Sequence, residues 1–206
     1  MLLNVLLLNY LVISMSLRVL FIQPPIVWEG DLLKHIKYPP LGLASIAGYI
    51  RSKGYIVDLY DAYSLSGTVK TIIDRTRSFK ADVVAISSTT TLIDNTFRTA
   101  EAIKKHDKRI KVVVGGPHAT ADPAHCLSNQ NVDAALVGEG EISLYKTLQA
   151  FQNNESLDNI EGVAFRNREG KIITSNPSLI KNIDELPFPA YDLLPLDEYK
   201  SPYSTR

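Results

Sequence analysis

From Arg18 onward, short aliphatic, β-branched runs alternate with amphipathic stretches, and this alternation constrains the fold more than any other feature. Arg18 to Ile22, Tyr55 to Tyr60, Asp82 to Ile86, Lys111 to Val114 and Val132 to Val137 read as five strands. The first of them, Val19-Leu20-Phe21-Ile22, is apolar without a break, as expected of a strand covered on both faces. Between the strands lie stretches with helical spacing. One is opened by Pro39-Pro40, runs through Leu43, Ile46, Ala47 and Ile50, and closes at Lys53-Gly54. The others span 66–79, 93–106, 121–128 and 142–152. Strands and helices in strict alternation predict a parallel sheet with helices on both faces.

The expected fold class is therefore α/β: a doubly wound, flavodoxin-like (Rossmann-like) five-stranded parallel sheet of order 2-1-3-4-5. After Asn153 the texture changes. Gly162 to Arg166 and Lys171 to Thr174, separated by Asn167 to Gly170, predict a C-terminal β-hairpin. Prolines at 177, 187, 189, 195 and 202 predict an extended linker that wraps the surface. The division expected is 1–15 as an apolar leader outside the fold, 16–152 as the ligand domain, and 153–206 as hairpin and linker. Leu2 to Ile13 is too short to span a bilayer, which takes about 20 residues, and lacks the basic start of a secretory signal. Met15 is the preferred initiator; an extra strand and a peripheral apolar tail are the alternatives.

Composition narrows the ligand. Across 206 residues, Lys plus Arg and Asp plus Glu are both 22, so the net charge is zero. No domain-wide cationic field exists to bind a nucleic acid backbone. Cys126 is the only cysteine, which excludes an intrachain disulfide and a cluster held by several cysteines of this chain. A reducing, cytoplasmic compartment is expected, with Cys126 as a small core hydrophobe. His35, His106 and His125 follow no metal-site spacing, and neither a catalytic residue nor a metal ligand is assigned.

In an open parallel sheet, ligands bind beyond the carboxyl ends of the strands. Small and hydroxylic residues gather there: Ser87, Ser88, Thr89 and Thr90 after strand three, Gly115, Gly116, Pro117 and His118 after strand four, and Gly138, Glu139 and Gly140 after strand five. Pro40, Leu41 and Gly42 open the helix after strand one. These residues are the expected ligand site. Trp28 either shields the ligand or covers its own loop. No phosphate-binding P-loop, no G-x-G-x-x-G after strand one and no nucleophile elbow is present.

Four blocks stand in order: Tyr38-Pro39-Pro40-Leu41-Gly42-Leu43, Val114-Gly115-Gly116-Pro117-His118-Ala119-Thr120, Val137-Gly138-Glu139-Gly140-Glu141 and Asp184 to Asp192. Together they resemble the N-terminal cobalamin-binding domain of B12-dependent radical S-adenosylmethionine enzymes, a group of methyltransferases and anaerobic cyclases. The resemblance covers about Ser16 to Arg206. It implies base-off cobalamin, with the nucleotide tail passing Ser87 and Gly115-Gly116 into the sheet. It departs from the D-x-H-x-x-G type of B12 domain, because the loop Gln23 to Gly30 has no histidine, so no histidine ligand to cobalt is implied. It also implies that a radical S-adenosylmethionine domain, in cis or as a separate chain, carries a 4Fe-4S cluster and S-adenosylmethionine after Ser204-Thr205-Arg206, so that this chain alone is non-catalytic. A flavin module on the same fold and a non-binding interaction domain are the alternatives.

Overall fold

The computed structural model describes residues 16–26, 37–177 and 179–199. Its centre is one seven-stranded sheet. The strands are β1 (Arg18–Gln23), β2 (Ile56–Asp61), β3 (Val83–Ser87), β4 (Lys111–Gly115), β5 (Ala134–Leu136), β6 (Val163–Arg166) and β7 (Ile172–Thr174). Their spatial order is β2-β1-β3-β4-β5-β6-β7. The first five pair in parallel, in the order expected. The hairpin is not an appendage. β6 pairs antiparallel with β5, and β7 with β6, so the hairpin lengthens the same sheet by two strands.

The described residues form six α-helices: α1 (Leu41–Ser52), α2 (Val69–Phe79), α3 (Ile93–His106), α4 (Pro117–Ala121), α5 (Pro123–Ser128) and α6 (Gly140–Asn153). α2 starts at a capping box in which Thr68 and Thr71 each accept the other's backbone N–H. The short helix expected over 121–128 is α5, which starts at Pro123, and a separate short helix that was not expected, α4, precedes it over Pro117–Ala121. Pro123 has no N–H to donate and disfavours the helical conformation at Asp122, so the chain breaks there. The Asp122 side chain then accepts the His125 N–H and caps α5.

Strand residues alternate between the two faces of a sheet. Val19, Phe21, Ala85, Val113 and Leu136 pack toward α1, α6 and the C-terminal segment. Leu20, Ile22, Ile86, Val112 and Val114 belong to the opposite core, with Ile72 of α2, Ile103 of α3, and Cys126 and Leu127 of α5. Cys126 is fully buried, as expected, and burial pushes its thiol up to about 12.

The C-terminal segment wraps the first face as the prolines predict, through single 3-10 turns at Ile183–Glu185, Tyr191–Leu193 and Leu196–Glu198. It docks on α1 backbone to backbone: the Ala190 N–H donates to Ala44 O at 2.8 Å. Gly48 allows this approach, because a Cβ there would stand 2.5 Å from Phe188 O. Ala190 and Leu194 are buried beneath it. The expected leader 1–15, Met15 as initiator, Trp28, His35 and the closing Ser204-Thr205-Arg206 lie outside the described residues.

Candidate functional site

A cleft of about 420 Å³ opens at the carboxyl edge of the sheet, between the N-terminal turns of α1 and α6. That volume is within the range of about 300–1,000 Å³ usual for small-molecule sites. Phe21, Ala85 and Val113 lie at its base, and Leu43, Ile46, Leu136 and Leu144 stand on its walls. The polar side chains on it are Gln23, Ser87, Glu139 and Glu141.

Strand parity makes the cleft. On the face toward α1 and α6, β3 ends Ala85, Ser87 and β4 ends Val113, Gly115. These small residues leave space where Ile86 and Val114 fill the opposite face. A Cβ on Gly115 would meet nothing nearer than Leu136 at 3.8 Å, so the floor there is open. Gly116 is different. Its φ of +94° belongs to the left-handed region, and a Cβ would stand 3.0 Å from Ser88 O. That turn carries the chain away from the cleft into α4.

The structure brings together Pro40, Gly42, Ser87, Gly115, Gly116, Pro117, Gly138, Glu139 and Gly140 on the cleft wall. It does not place Leu41, Ser88, Thr89, Thr90 or His118 there. Leu41 is half exposed at the start of α1. Ser88 turns to the other face, where the Thr96 hydroxyl donates to its Oγ and the His118 N–H to its carbonyl. The Thr89 and Thr91 hydroxyls bond each other at 3.0 Å. His118 is buried with Nδ1 3.2 Å from Thr90 Oγ1 and Nε2 3.0 Å from His125 Nδ1. The physical reason is the Gly116 turn: two residues beyond it, the side chain faces α5 instead of the cleft.

Gln23, Ile46 and Glu141 were not among the expected site residues. The signal for Glu141 was present, since it ends the Gly138-Glu139-Gly140-Glu141 block. Ile46 carried the same signal as any other apolar helix residue. The mouth of the cleft is closed on one side by the C-terminal segment. Pro177 packs on Gly138, the Ile180 N–H donates to Glu139 Oε2, and the Gly138 N–H donates to Thr120 Oγ1 at 3.0 Å.

A family model described as the B12 binding domain matches residues 36–147, more than half of the chain and every element that builds the cleft except β1. The chain belongs to the B12-binding domain family. An uncharacterized methyltransferase of Pyrococcus horikoshii is 32% identical to this B12-binding domain over 187 residues, covering 90% of this chain and 40% of that protein. The cytidylyl-2-hydroxyethylphosphonate methyltransferase of Streptomyces wedmorensis is 27% identical over 234 residues, covering 91% and 43%. The chain thus spans less than half the length of these curated relatives. Among solved structures, the cobalamin-dependent S-adenosylmethionine radical enzyme OxsB, with aqua-cobalamin and S-adenosylmethionine bound, superposes with a TM-score of 0.77 at 17% identity. That match covers 89% of this chain and 25% of OxsB, and it shows a shared fold.

The residues present fit a corrinoid's requirements. The floor at Gly115 is open, the walls are apolar, and the polar groups sit at the edges where a ligand's amides and hydroxyls would meet them. The flavin alternative is not favoured.

Proposed function

We propose that this domain holds cobalamin base-off, without a histidine ligand, its nucleotide arm in the cleft between α1 and α6. In this reading it serves as the B12-binding part of a radical S-adenosylmethionine enzyme of methyltransferase or cyclase type, in the cytoplasm. The radical domain, in cis or as a separate chain, carries the 4Fe-4S cluster and S-adenosylmethionine. Residues 16–152 carry the cleft, and 153–206, the hairpin that completes the sheet and the linker, lead toward that domain.

The observation that carries the reading is the open Gly115 floor beneath an apolar cleft that lies almost wholly within the family match. A second observation concerns His118 alone: Thr90 and His125 hold it on the far side, away from the cleft.

When bound, cobalamin supplies a cobalt centre able to carry a methyl group; the protein supplies position and exclusion of water. Leu43, Ile46, Leu136 and Leu144 exclude water from the arm. Ser87 and Gln23 offer hydrogen bonds along its edges, and Gly115 gives it backbone clearance. Pro177 and Ile180 hold the mouth in shape through Gly138 and Glu139. No residue of this chain is assigned an acid, base or nucleophilic role.

The test is a titration of the full chain with hydroxocobalamin followed by visible absorption, then reduction to the Co(II) state and electron paramagnetic resonance. Micromolar or tighter uptake with no nitrogen superhyperfine splitting is the expected result. Nitrogen splitting refutes the base-off, histidine-free mode, and absence of uptake refutes the cobalamin reading.

A further inference from the structure

Two carboxylates, Glu139 and Glu141, stand on the cleft wall, and they are in different states. Glu139 already has a donor, the Ile180 N–H of the C-terminal segment. Glu141 lies in the first turn of α6, only 9% exposed. Its Oε1 accepts from the Ser45 hydroxyl on α1 at 2.8 Å. Its other oxygen has no hydrogen-bond or ion-pair partner among the described residues and is not sealed in the interior: it opens to the cleft that the side chain lines.

A buried carboxylate is costly unless its charge is matched or its oxygens are hydrogen-bonded. The positive end of α6 offsets part of that cost. Solvent in the open cleft reaches the second oxygen, so a ligand that fills the cleft displaces that water and has to replace it with a donor of its own. An ionised carboxylate can only accept, so the group it meets must donate. An anion such as a phosphate oxygen is repelled at that point, whereas a hydroxyl or a carboxamide N–H is welcomed. Gln23 lines the same cleft, with a side-chain amide unbonded among the described residues, and can take a ligand acceptor nearby.

We propose that Glu141, oriented by Ser45, determines ligand choice in this cleft by accepting a hydrogen bond from a neutral donor, a hydroxyl or a carboxamide. This rests on the cobalamin reading, and it names a selecting contact within it. Two parts of a cobalamin present such donors: the ribose hydroxyls of the nucleotide arm and the carboxamides around the corrin.

The experiment compares the full-length wild type, Glu141→Gln and Ser45→Ala, each titrated with hydroxocobalamin and with cobinamide, which lacks the nucleotide but keeps the corrin carboxamides. Melting temperature is recorded alongside. Glu141→Gln keeps the shape and the acceptor for Ser45 but replaces the second oxygen with a donor. The expected result is about a tenfold weaker affinity at nearly unchanged melting temperature, a change equivalent to about 1.4 kcal/mol. Weakening for hydroxocobalamin alone identifies a ribose hydroxyl; weakening for both ligands identifies a carboxamide. Affinities within about twofold of wild type for both ligands overturn the inference. A loss of affinity in Glu141→Gln that merely tracks a drop in melting temperature equal to that of Ser45→Ala also overturns it, because the pair is then only a strut between α1 and α6. A wild type that takes up neither ligand overturns the cobalamin reading and this inference together; a wild type that binds hydroxocobalamin as tightly as Glu141→Gln overturns this inference alone.

Discussion

The two faces of the sheet are built from alternate residues of the same strands, yet they end differently at the carboxyl edge. Toward α2, α3, α4 and α5, the edge is filled: Ile86 and Val114 are buried, and above them Ser88, Thr96, His118, Thr90 and His125 bond one another. Phe97 stacks edge-on against His125 with ring centres 5.5 Å apart. Toward α1 and α6, the same strands end in Ala85, Ser87 and Gly115, and the edge is hollow. A shift of one residue along a strand thus separates a packed shelf from a binding cleft. The shelf fixes the β3 and β4 loops from behind, so that the cleft need not be filled by its own side chains.

The sharpest way to break this contrast is to fill the hollow side. Gly115→Trp adds a large side chain where a Cβ has clear space and no left-handed φ to strain. Hydroxocobalamin affinity, read by visible absorption, is expected to fall at least about 100-fold, or about 2.7 kcal/mol, with the fold intact by circular dichroism. Unchanged affinity means the ligand is not in this cleft. The converse variant empties the filled side. Ile103 on α3 is wholly buried in the opposite core. Ile103→Ala is expected to cost about 2–5 kcal/mol in denaturant unfolding, while the affinity of the remaining folded protein stays near wild type. A large drop in affinity there would show that the two faces are coupled.

How much of this was legible follows from the same parity. The alternation of apolar runs and amphipathic stretches gave the five parallel strands and their order, because continuous burial and right-handed crossovers leave few choices. The glycines at 115, 116, 138 and 140 marked the right edge, since small residues at strand ends are where a ligand approaches backbone. Which face was hollow was not legible. Val112 to Val114 is apolar on both parities, so the run hides which residues point where. His118 was grouped with Gly115 and Gly116 by sequence proximity, but the +94° φ of Gly116 turns it to the opposite side. Glu141 stood in a marked block, but its partner was not legible, because the contact is with Ser45, 96 residues away in sequence.

The C-terminal segment sharpens the comparison from outside the sheet, because it covers only the face that carries the cleft. Tyr199 near its end donates to Asp61 Oδ2 at 2.9 Å, and the Ser64 N–H donates to Oδ1 at 3.0 Å. Asp61 is fully buried at the end of β2. Tyr199→Phe leaves that carboxylate one donor short and is expected to cost about 1–3 kcal/mol at pH 8. Burial first, then the Asp61 charge, push the Tyr199 phenol well above its ordinary 10.0. The folded state therefore holds the proton more tightly than the unfolded chain. That contribution is complete below about pH 10 and declines as the pH rises further. Tyr55, raised by burial and then by Tyr145, adds a slope of the same sign. Wild type should thus lose stability above pH 10 in chemical unfolding, and Tyr199→Phe should lose less; equal slopes would show that Tyr199 does not hold the segment down.

The smallest effect is expected where the same segment meets α1 in water. Arg51 makes a two-bond pair with Asp192, at 2.7 and 3.0 Å, but their side chains are 44% and 62% exposed. Solvent screening and the entropy of holding two long side chains leave such a pair about 0.2–1 kcal/mol. Arg51→Ala should therefore cost no more than that in dilute buffer and nearly nothing in 1 M salt, where the screening length is about 3 Å. The segment would remain docked, because its anchorage is the Ala190–Ala44 backbone bond over Gly48 and the burial of Ala190 and Leu194. A cost well above 1 kcal/mol, surviving high salt, would mean that the cleft-bearing face depends on its outer ion pair rather than on the close backbone approach that Gly48 permits.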